Sequence, residues 1–184
     1  MCHILLQDPR FFVLLLHIDQ ALASEAQSAG CPCGGILHRA SYPRKPRCCP
    51  TSVRPHFELR FSFCCNRCRK RTTSVSVRFL GRRVYPGLAV VLMSAGRAHA
   101  TSTVAKLSET LNIPMRTIHR WRQWWRDLFP LTALWQADCA RFMPPVDLHL
   151  LPASLIGRFV GPAIEAMQRL LIFLSPLTVG FRSR

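Results

Sequence analysis

The sequence predicts an α+β fold that is mostly α: a small β unit, a helical unit after it, and amphipathic helices on both flanks. Three observations predict this class. Clustered cysteines lie next to segments that alternate apolar and polar residues. Apolar residues elsewhere recur at helical spacing, and Asn112-Ile113-Pro114 separates two of these helical stretches. With 184 residues, the chain can hold one ordinary domain or two small ones.

Positive charge is concentrated in the middle of the chain. The formal net charge is +16, and residues 31–126 hold 19 lysines and arginines but only two acids, Glu58 and Glu109. The flanking segments together are close to neutral. This distribution predicts a unit that binds a polyanion, with nucleic acid as the first candidate. An anionic membrane surface and a bias toward arginine codons are the alternatives.

The chain has nine cysteines, an odd number, and five of them form a C-x-C and a CC-x-x-C, which favours metal binding in a reducing compartment. Apolar runs such as Phe11–Leu16 are too short to cross a membrane. Asp8, His17 and Asp19 interrupt a signal-peptide pattern. We therefore expect a cytoplasmic, nucleoid-associated protein with no membrane partner, and secretion is the alternative.

Residues 1–29 are predicted to form an N-terminal amphipathic helix. An Asp-Pro pair at positions 8 and 9 is a typical helix start. The apolar stripe that follows consists of Phe12, Leu15, Leu16, Ile18 and Leu22. Asp19, Gln20 and Glu25 are expected to face solvent. We expect the stripe to pack on the body of the protein, with a dimer contact as the alternative.

Residues 30–80 are predicted to form a small β zinc ribbon with a basic loop. Two cysteine turns, C-P-C-G-G and C-C-N-R-C, lie about 30 residues apart, and predicted strands join them. Four thiolates can bind Zn²⁺ in a closed tetrahedral site that leaves no coordination position open. The predicted ligands are Cys31, Cys33, Cys65 and Cys68. Unmetallated thiols and redox pairing are the alternatives to zinc.

The remaining residues of this region are assigned from local pattern. Strands are expected over 36–42, 57–63 and 72–79. An exposed basic loop is expected over 42–55, in which Cys48 and Cys49 are spare thiols. Cys64 should point away from the ligands, because adjacent strand residues face opposite sides. Either Cys64 or His38 could still replace a ligand.

Residues 81–130 are predicted to form a helical helix-turn-helix domain. A support helix is expected over 85–95, followed by a linker and a helix that Ser102 or Thr103 caps. Asn112 tolerates left-handed backbone and Pro114 suits the first turn of a new helix, so together they predict a tight turn. The residues expected on the buried faces of the two helices are Val104, Leu107, Ser108, Leu111, Ile118, Trp121, Trp125 and Leu128.

The opposite face of the second helix is polar and cationic, which predicts double-stranded DNA as the partner. Arginine can pair with guanine and glutamine with adenine in the major groove, while Arg122 and Arg126 at the flanks suit phosphates. The predicted DNA-binding residues are Arg116, Thr117, His119, Arg120, Arg122, Gln123 and Arg126. A surface helix with solvated arginines is the alternative.

Residues 131–184 are predicted to form a C-terminal helical segment. A short helix over 135–142 precedes an amphipathic helix over 151–174, which a Gly-Pro pair at 161 and 162 divides. Its apolar face consists of Leu155, Phe159, Ile164, Met167, Leu170, Leu171 and Leu174. We expect it to dock on its own domain, with a homodimer interface as the alternative. Since the nine acidic residues are scattered and no catalytic motif occurs, an enzyme is not expected.

The order of CPCGG, FCCNRCRKRTT, SVRFLGRRVY and LNIPMRTIHRWRQWW resembles the N-terminal DNA-binding regions of bacterial insertion-sequence transposases, which place a zinc ribbon before a helix-turn-helix. It is still more similar to short bacterial proteins found with mobile elements, which carry both modules without a catalytic domain. The resemblance covers roughly residues 31–145. It implies that the four cysteines bind zinc, that residues 116–126 read DNA, and that the role is accessory or regulatory, with a transposase as a further partner. A zinc-ribbon RNA-binding protein and a truncated transposase remnant are the alternatives.

Overall fold

A computed structural model describes residues 2–80, 84–96 and 101–179. The chain is mostly helical with two small antiparallel sheets, so the predicted α+β class is confirmed. The α-helices are α1 (Pro9–Ser28), α2 (Gly87–Ala95), α3 (Thr101–Thr110), α4 (Met115–Asp127), α5 (Ala133–Asp138), α6 (Ala153–Ile156) and α7 (Ala163–Leu174). Within the described ranges, none of the helices has the length and apolar character needed to cross a membrane.

The strands are shorter than predicted. A three-stranded sheet has β4 (Ser62–Cys65) between β1 (Leu37–Arg39) and β5 (Arg71–Thr73). A separate pair joins β2 (Tyr42–Pro43) to β3 (Leu59–Arg60). In the larger sheet, Leu37 lies opposite Cys65 and Arg71 lies opposite Cys64, which brings the start of β1 and the end of β4 together.

The predicted strand over 57–63 is wrong at its start, because Thr51–Phe57 is a 3₁₀ helix. The same helix replaces part of the predicted exposed loop and buries Val53 and Phe57 in the core. The expected alternation is also reversed in β3. Leu59 is 50% exposed whereas Arg60 is 1% exposed. The Arg60 guanidinium is held by the carbonyls of Ser74 and Val75 and by Thr178 Oγ1, so its polar groups remain paired inside the protein.

Asp19 was expected in solvent but is fully buried, because it forms an ion pair with Arg78. Arg78 Nε donates to Asp19 Oδ2 over 2.7 Å, and the Ser76 hydroxyl and the Val77 amide each donate to the carboxylate over 2.6 Å. The same guanidinium donates to the carbonyls of His56 and Leu59. This network joins α1 to the segment that follows β5. The sequence predicts a strand over 72–79, but β5 ends at Thr73.

One main hydrophobic core contains residues from α1, Thr51–Phe57, α2, α4 and α7. α2 lies at its centre, with Leu88 to Met93 all buried, because its sequence is apolar on every side. A smaller cluster under the three-stranded sheet packs Leu37, Phe63 and Cys65 against Ala23 of α1. Residues from all four predicted segments, 1–29, 30–80, 81–130 and 131–184, therefore share one core.

The predicted break between two helices is present, and residues 111–114 join α3 to α4. Asn112 has φ +49°, and the Ser108 hydroxyl donates to the Ile113 carbonyl over 2.5 Å. α3 begins at Thr101, so Ser102 and Thr103 lie inside the helix and not before it. The side chains of Val104 and Leu107 lie outside the described residues.

Two apolar side chains that were expected to be buried are exposed. Leu128 follows the last residue of α4 and is 53% exposed. Ile164 lies in the first turn of α7 and is 43% exposed, whereas Met167, Leu170 and Leu174 further along the helix are buried. The single helix predicted over 151–174 is divided into α6 and α7, as the Gly-Pro pair indicated.

Replacing Asp19 with alanine should reduce the free energy of unfolding by about 3–5 kcal/mol, because the Arg78 charge would stay buried without its partner. Urea denaturation followed by circular dichroism measures this loss. Glu25→Ala, an exposed carboxylate on the same helix, should stay within about 0.5 kcal/mol of the parent. Equal stabilities of the two variants would contradict the role of the ion pair.

Candidate metal centre and nucleic-acid interface

Four cysteine sulfurs, those of the predicted ligands, lie within 4.8 Å of one another. Cys31 Sγ is 3.5 Å from Cys68 Sγ and 3.4 Å from Cys33 Sγ, and Cys33 Sγ is 3.5 Å from Cys65 Sγ. These separations are too long for disulfides, and the thiols are free. In the part of the chain that the structure describes, this is the one group of three or more His, Cys, Asp or Glu residues that could hold a metal ion.

Two tight turns supply these cysteines. In the first, Gly34 has φ +77° and its amide donates to the Cys31 carbonyl, while the Cys31 amide donates to Gly35. Gly35 itself has no room for a side chain, since a Cβ there would lie 2.5 Å from Cys65 Sγ. In the second turn, the amides of Arg67 and Cys68 both donate to Cys65 Sγ, at 3.3 and 3.4 Å. The backbone therefore supplies polar contacts to the sulfur cluster.

Asn66 and Arg67 hold the two turns against each other. Asn66 Oδ1 accepts from the Ile36 amide, and the Asn66 amide donates to the Ile36 carbonyl, both over 3.0 Å. Arg67 Nη1 donates to the Cys33 carbonyl over 3.2 Å. Sequence reasoning missed these two residues, although their position inside C-C-N-R-C was the signal that could have identified them.

The pKa values of two thiols in the sulfur cluster are shifted in opposite directions. The backbone amides of Cys68 and then Arg67 lower the pKa of Cys65 to about 6, despite desolvation. At Cys31 the backbone contact to Cys33 also lowers the pKa. The side-chain hydrogen bond with Cys33, desolvation and the thiols of Cys68 and Cys65 outweigh this contact and raise the pKa to about 12. A bound cation would favour the thiolate form of all four cysteines, because it offsets the repulsion that neighbouring thiolates would otherwise have.

Cys64 is turned away from this cluster, as the alternation of strand residues predicts. Its thiol points to backbone carbonyls, donating to Arg69 over 3.5 Å. His38 lies opposite Cys64 in the strand pairing and is not part of the cluster either. Neither residue replaces one of the four predicted ligands in this arrangement.

The outer face of α4 carries four of the predicted DNA-binding side chains, and all four are exposed: Arg116, His119, Arg120 and Gln123. The inner face is buried through Ile118, Trp121 and Trp125. Tyr85 meets Trp121 edge to face with 4.9 Å between ring centroids, and Trp125 packs on Phe129 at 4.7 Å. These contacts fix the orientation of α4 on the core, so its cationic side chains project from a supported helix.

The other three predicted residues are placed differently. Thr117 is buried against the core and is not accessible to a partner. Arg122 is half-buried and its Nη2 donates to the carbonyl of Gly96, just after α2, over 2.7 Å; desolvation lowers its pKa. It therefore fastens α4 to α2. Arg126 is exposed but pairs with Asp127, with 2.6 Å between Nε and Oδ1. The helical pattern could not predict these pairings.

No known protein family, curated protein or solved structure matches this chain.

Cys65→Ser combined with Cys68→Ser should abolish metal binding, because it removes two of four sulfurs. We expect the parent protein to carry about one metal ion per chain by elemental analysis. Cys64→Ser should retain it, since that thiol points away. Full metal content in the double variant, or loss in Cys64→Ser, would contradict this ligand set.

Gly35→Ala should weaken metal binding about 10–100-fold, as other changes beside metal ligands do. The new Cβ would lie 2.5 Å from Cys65 Sγ and 2.8 Å from Arg67 Cβ, so the second turn must shift. A competition titration with a chromophoric chelator measures the affinity. Gly157→Ala is the matched control, because its Cβ would meet nothing closer than 3.6 Å and should leave the affinity unchanged.

Proposed function

We propose that this is a DNA-binding protein, in which α3 and α4 act as a helix-turn-helix and the four-cysteine unit acts as a zinc ribbon. The observation that carries the proposal is the exposed cationic face of α4 on a helix whose other face is fixed to the core. A recognition helix needs both features, because it must enter the major groove without losing its orientation.

We assign base contacts to the side chains in the middle of the exposed face. Arg116 and Arg120 have the geometry to donate two hydrogen bonds to guanine, and Gln123 can pair with adenine. His119 lies between them on the same exposed surface. Arg126 would contact phosphate after exchanging its exposed partner Asp127, a pair that contributes little in water.

Zinc is the metal that we assign to the sulfur cluster. Zn–S bonds of about 2.3 Å in a tetrahedron separate the sulfurs by about 3.8 Å. That value lies between the shortest separation, 3.4 Å, and the 4.8 Å limit of the group. Four thiolates fill the coordination sphere, so the ion would be structural and would keep two turns together. The exposed Arg67, Arg69 and Lys70 around the second turn would then add phosphate contacts.

The described residues contain no set of converging carboxylates that could hold a catalytic metal ion. Selecting a DNA site is therefore the role that this arrangement supports best. We propose an accessory or regulatory function at mobile-element ends or a promoter, with a transposase or a second copy of the chain as a further partner. The sequence resemblance supports this setting, and the geometry of α4 supports the binding itself.

Arg120→Ala should lose sequence preference, at a cost of about 1–3 kcal/mol for the preferred site. Selection of genomic fragments would first identify that site, and fluorescence anisotropy would then give affinities at several salt concentrations. The parent should lose affinity steeply with salt, because each phosphate contact contributes a slope of about 0.9.

Arg10→Ala is the control for charge alone, because Arg10 is an exposed arginine at the start of α1. It should keep the sequence preference of the parent. Affinity for duplex DNA that does not depend on salt, or no affinity for any duplex, would refute the proposal. Displacement of duplex by unrelated single-stranded RNA would favour an RNA-binding function instead.

A further inference from the structure

A cavity of about 630 Å³ lies beside the turn between α3 and α4, away from the metal centre. One wall is formed by Thr110 to Asn112 and Pro114. A second wall is formed by residues 47–51 and Arg54, and Leu6 and Gln7 also line the cavity. This volume is within the range of small-molecule sites, about 300–1,000 Å³.

The lining of the cavity is cationic and rich in hydrogen-bond donors. Arg47 and Arg54 both line it and both are exposed to solvent. Side-chain donors are also offered by Gln7, Thr51 and Asn112. Among the described residues that line the cavity, none is acidic. Guanidinium groups bind phosphate through charge-assisted hydrogen bonds, and Arg47 and Arg54 supply two of them to this lining.

The thiols in the same cavity are structural. Cys48 Sγ donates to the Leu111 carbonyl over 2.9 Å and so joins the two walls. Cys48 has φ +65°, a left-handed conformation that is unusual for a residue other than glycine and that this contact helps to hold. Desolvation, and then the charge of Cys49, raise the pKa of Cys48 to about 12. Desolvation also raises the pKa of Cys49 and outweighs the hydrogen bond and charge of Arg54, which lower it, so both thiols are protonated and unreactive.

We propose that this cavity binds a phosphate ester, which Arg47 and Arg54 hold by charge-assisted hydrogen bonds. Because the cavity lies next to the α3–α4 turn, the phosphate group could come from two sources. It could be a backbone phosphate of DNA bound at α4, or it could belong to a free phosphate ester. In the first case the inference extends the proposed function, since the cavity anchors the backbone beside the base-reading helix. In the second case the cavity is a ligand site that contacts the turn directly.

The test compares the full chain with the double variant Arg47→Ala/Arg54→Ala. Both arginines are exposed, so the variant should fold, and circular dichroism checks this. The first measurement is the salt dependence of duplex affinity. If the cavity holds a backbone phosphate, the slope should fall by about 1–2, because each lost phosphate contact removes about 0.9. The second measurement is calorimetric titration with inorganic phosphate, for which a free-ester site should lose at least about tenfold in affinity.

The matched control is Arg141→Ala/Arg169→Ala, which removes two exposed arginines from the C-terminal segment. A smaller salt slope or a weaker phosphate affinity in the Arg47/Arg54 variant, with the control unchanged, supports phosphate binding in the cavity. Which of the two changes tells whether the phosphate comes from DNA or from a free ester. An unchanged slope together with unchanged phosphate binding would overturn the inference, as would equal losses in the control. The phosphate titration does not depend on DNA, so failure of duplex binding alone would refute the proposed function and leave the cavity to be judged by the titration.

Discussion

The buried ion pair between Asp19 and Arg78 is the interaction on which the arrangement of this protein depends. Residues 74–80 do not form a strand, so their polar backbone groups need partners from elsewhere in the chain. Asp19 accepts from Ser76 and Val77, and Arg78 donates to the carbonyls of His56 and Leu59. This ion pair holds α1 against the irregular backbone of residues 74–80. Its hydrogen bonds are directional, which apolar packing is not. The cost of removing either partner is correspondingly high.

The positive charge of the middle segment therefore has two separate uses. Arg60 and Arg78 are 1% exposed and hold backbone carbonyls inside the protein. Arg122 connects α4 to the end of α2. Exposed cations include those on the outer face of α4, around the second cysteine turn and along the cavity beside the α3–α4 turn. A formal charge counted from the sequence consequently overestimates the charge that a polyanion could meet.

The parts of the fold that sequence predicted well are those that local geometry determines. Helical spacing of apolar residues predicts α1, α4 and α7, and the spacing within two cysteine turns predicts which four sulfurs converge. The sequence pattern predicted the wrong burial where a contact with a distant residue makes it favourable to bury a charged side chain. Asp19 and Arg60 were expected on solvated faces, yet each finds hydrogen-bond partners more than ten residues away that make burial favourable. Thr117 has a short side chain that fits the core, which a count of polar residues on one helix face cannot show.

The contacts of the acidic side chains limit the chemistry that this protein could perform on a bound molecule. Among the described carboxylates, Asp19 is held by Arg78, Asp127 by Arg126, and Asp138 by Arg141. Asp8 and Asp147 accept from backbone amides at the starts of helices. These side chains already serve the fold, and they are spread over its length. A metal ion held by four thiolates would likewise have no coordination position left for a substrate. Arg116, His119 and Arg120 on the outer face of α4, in contrast, pair with none of the described carboxylates, and their chemistry suits the anionic partner proposed above.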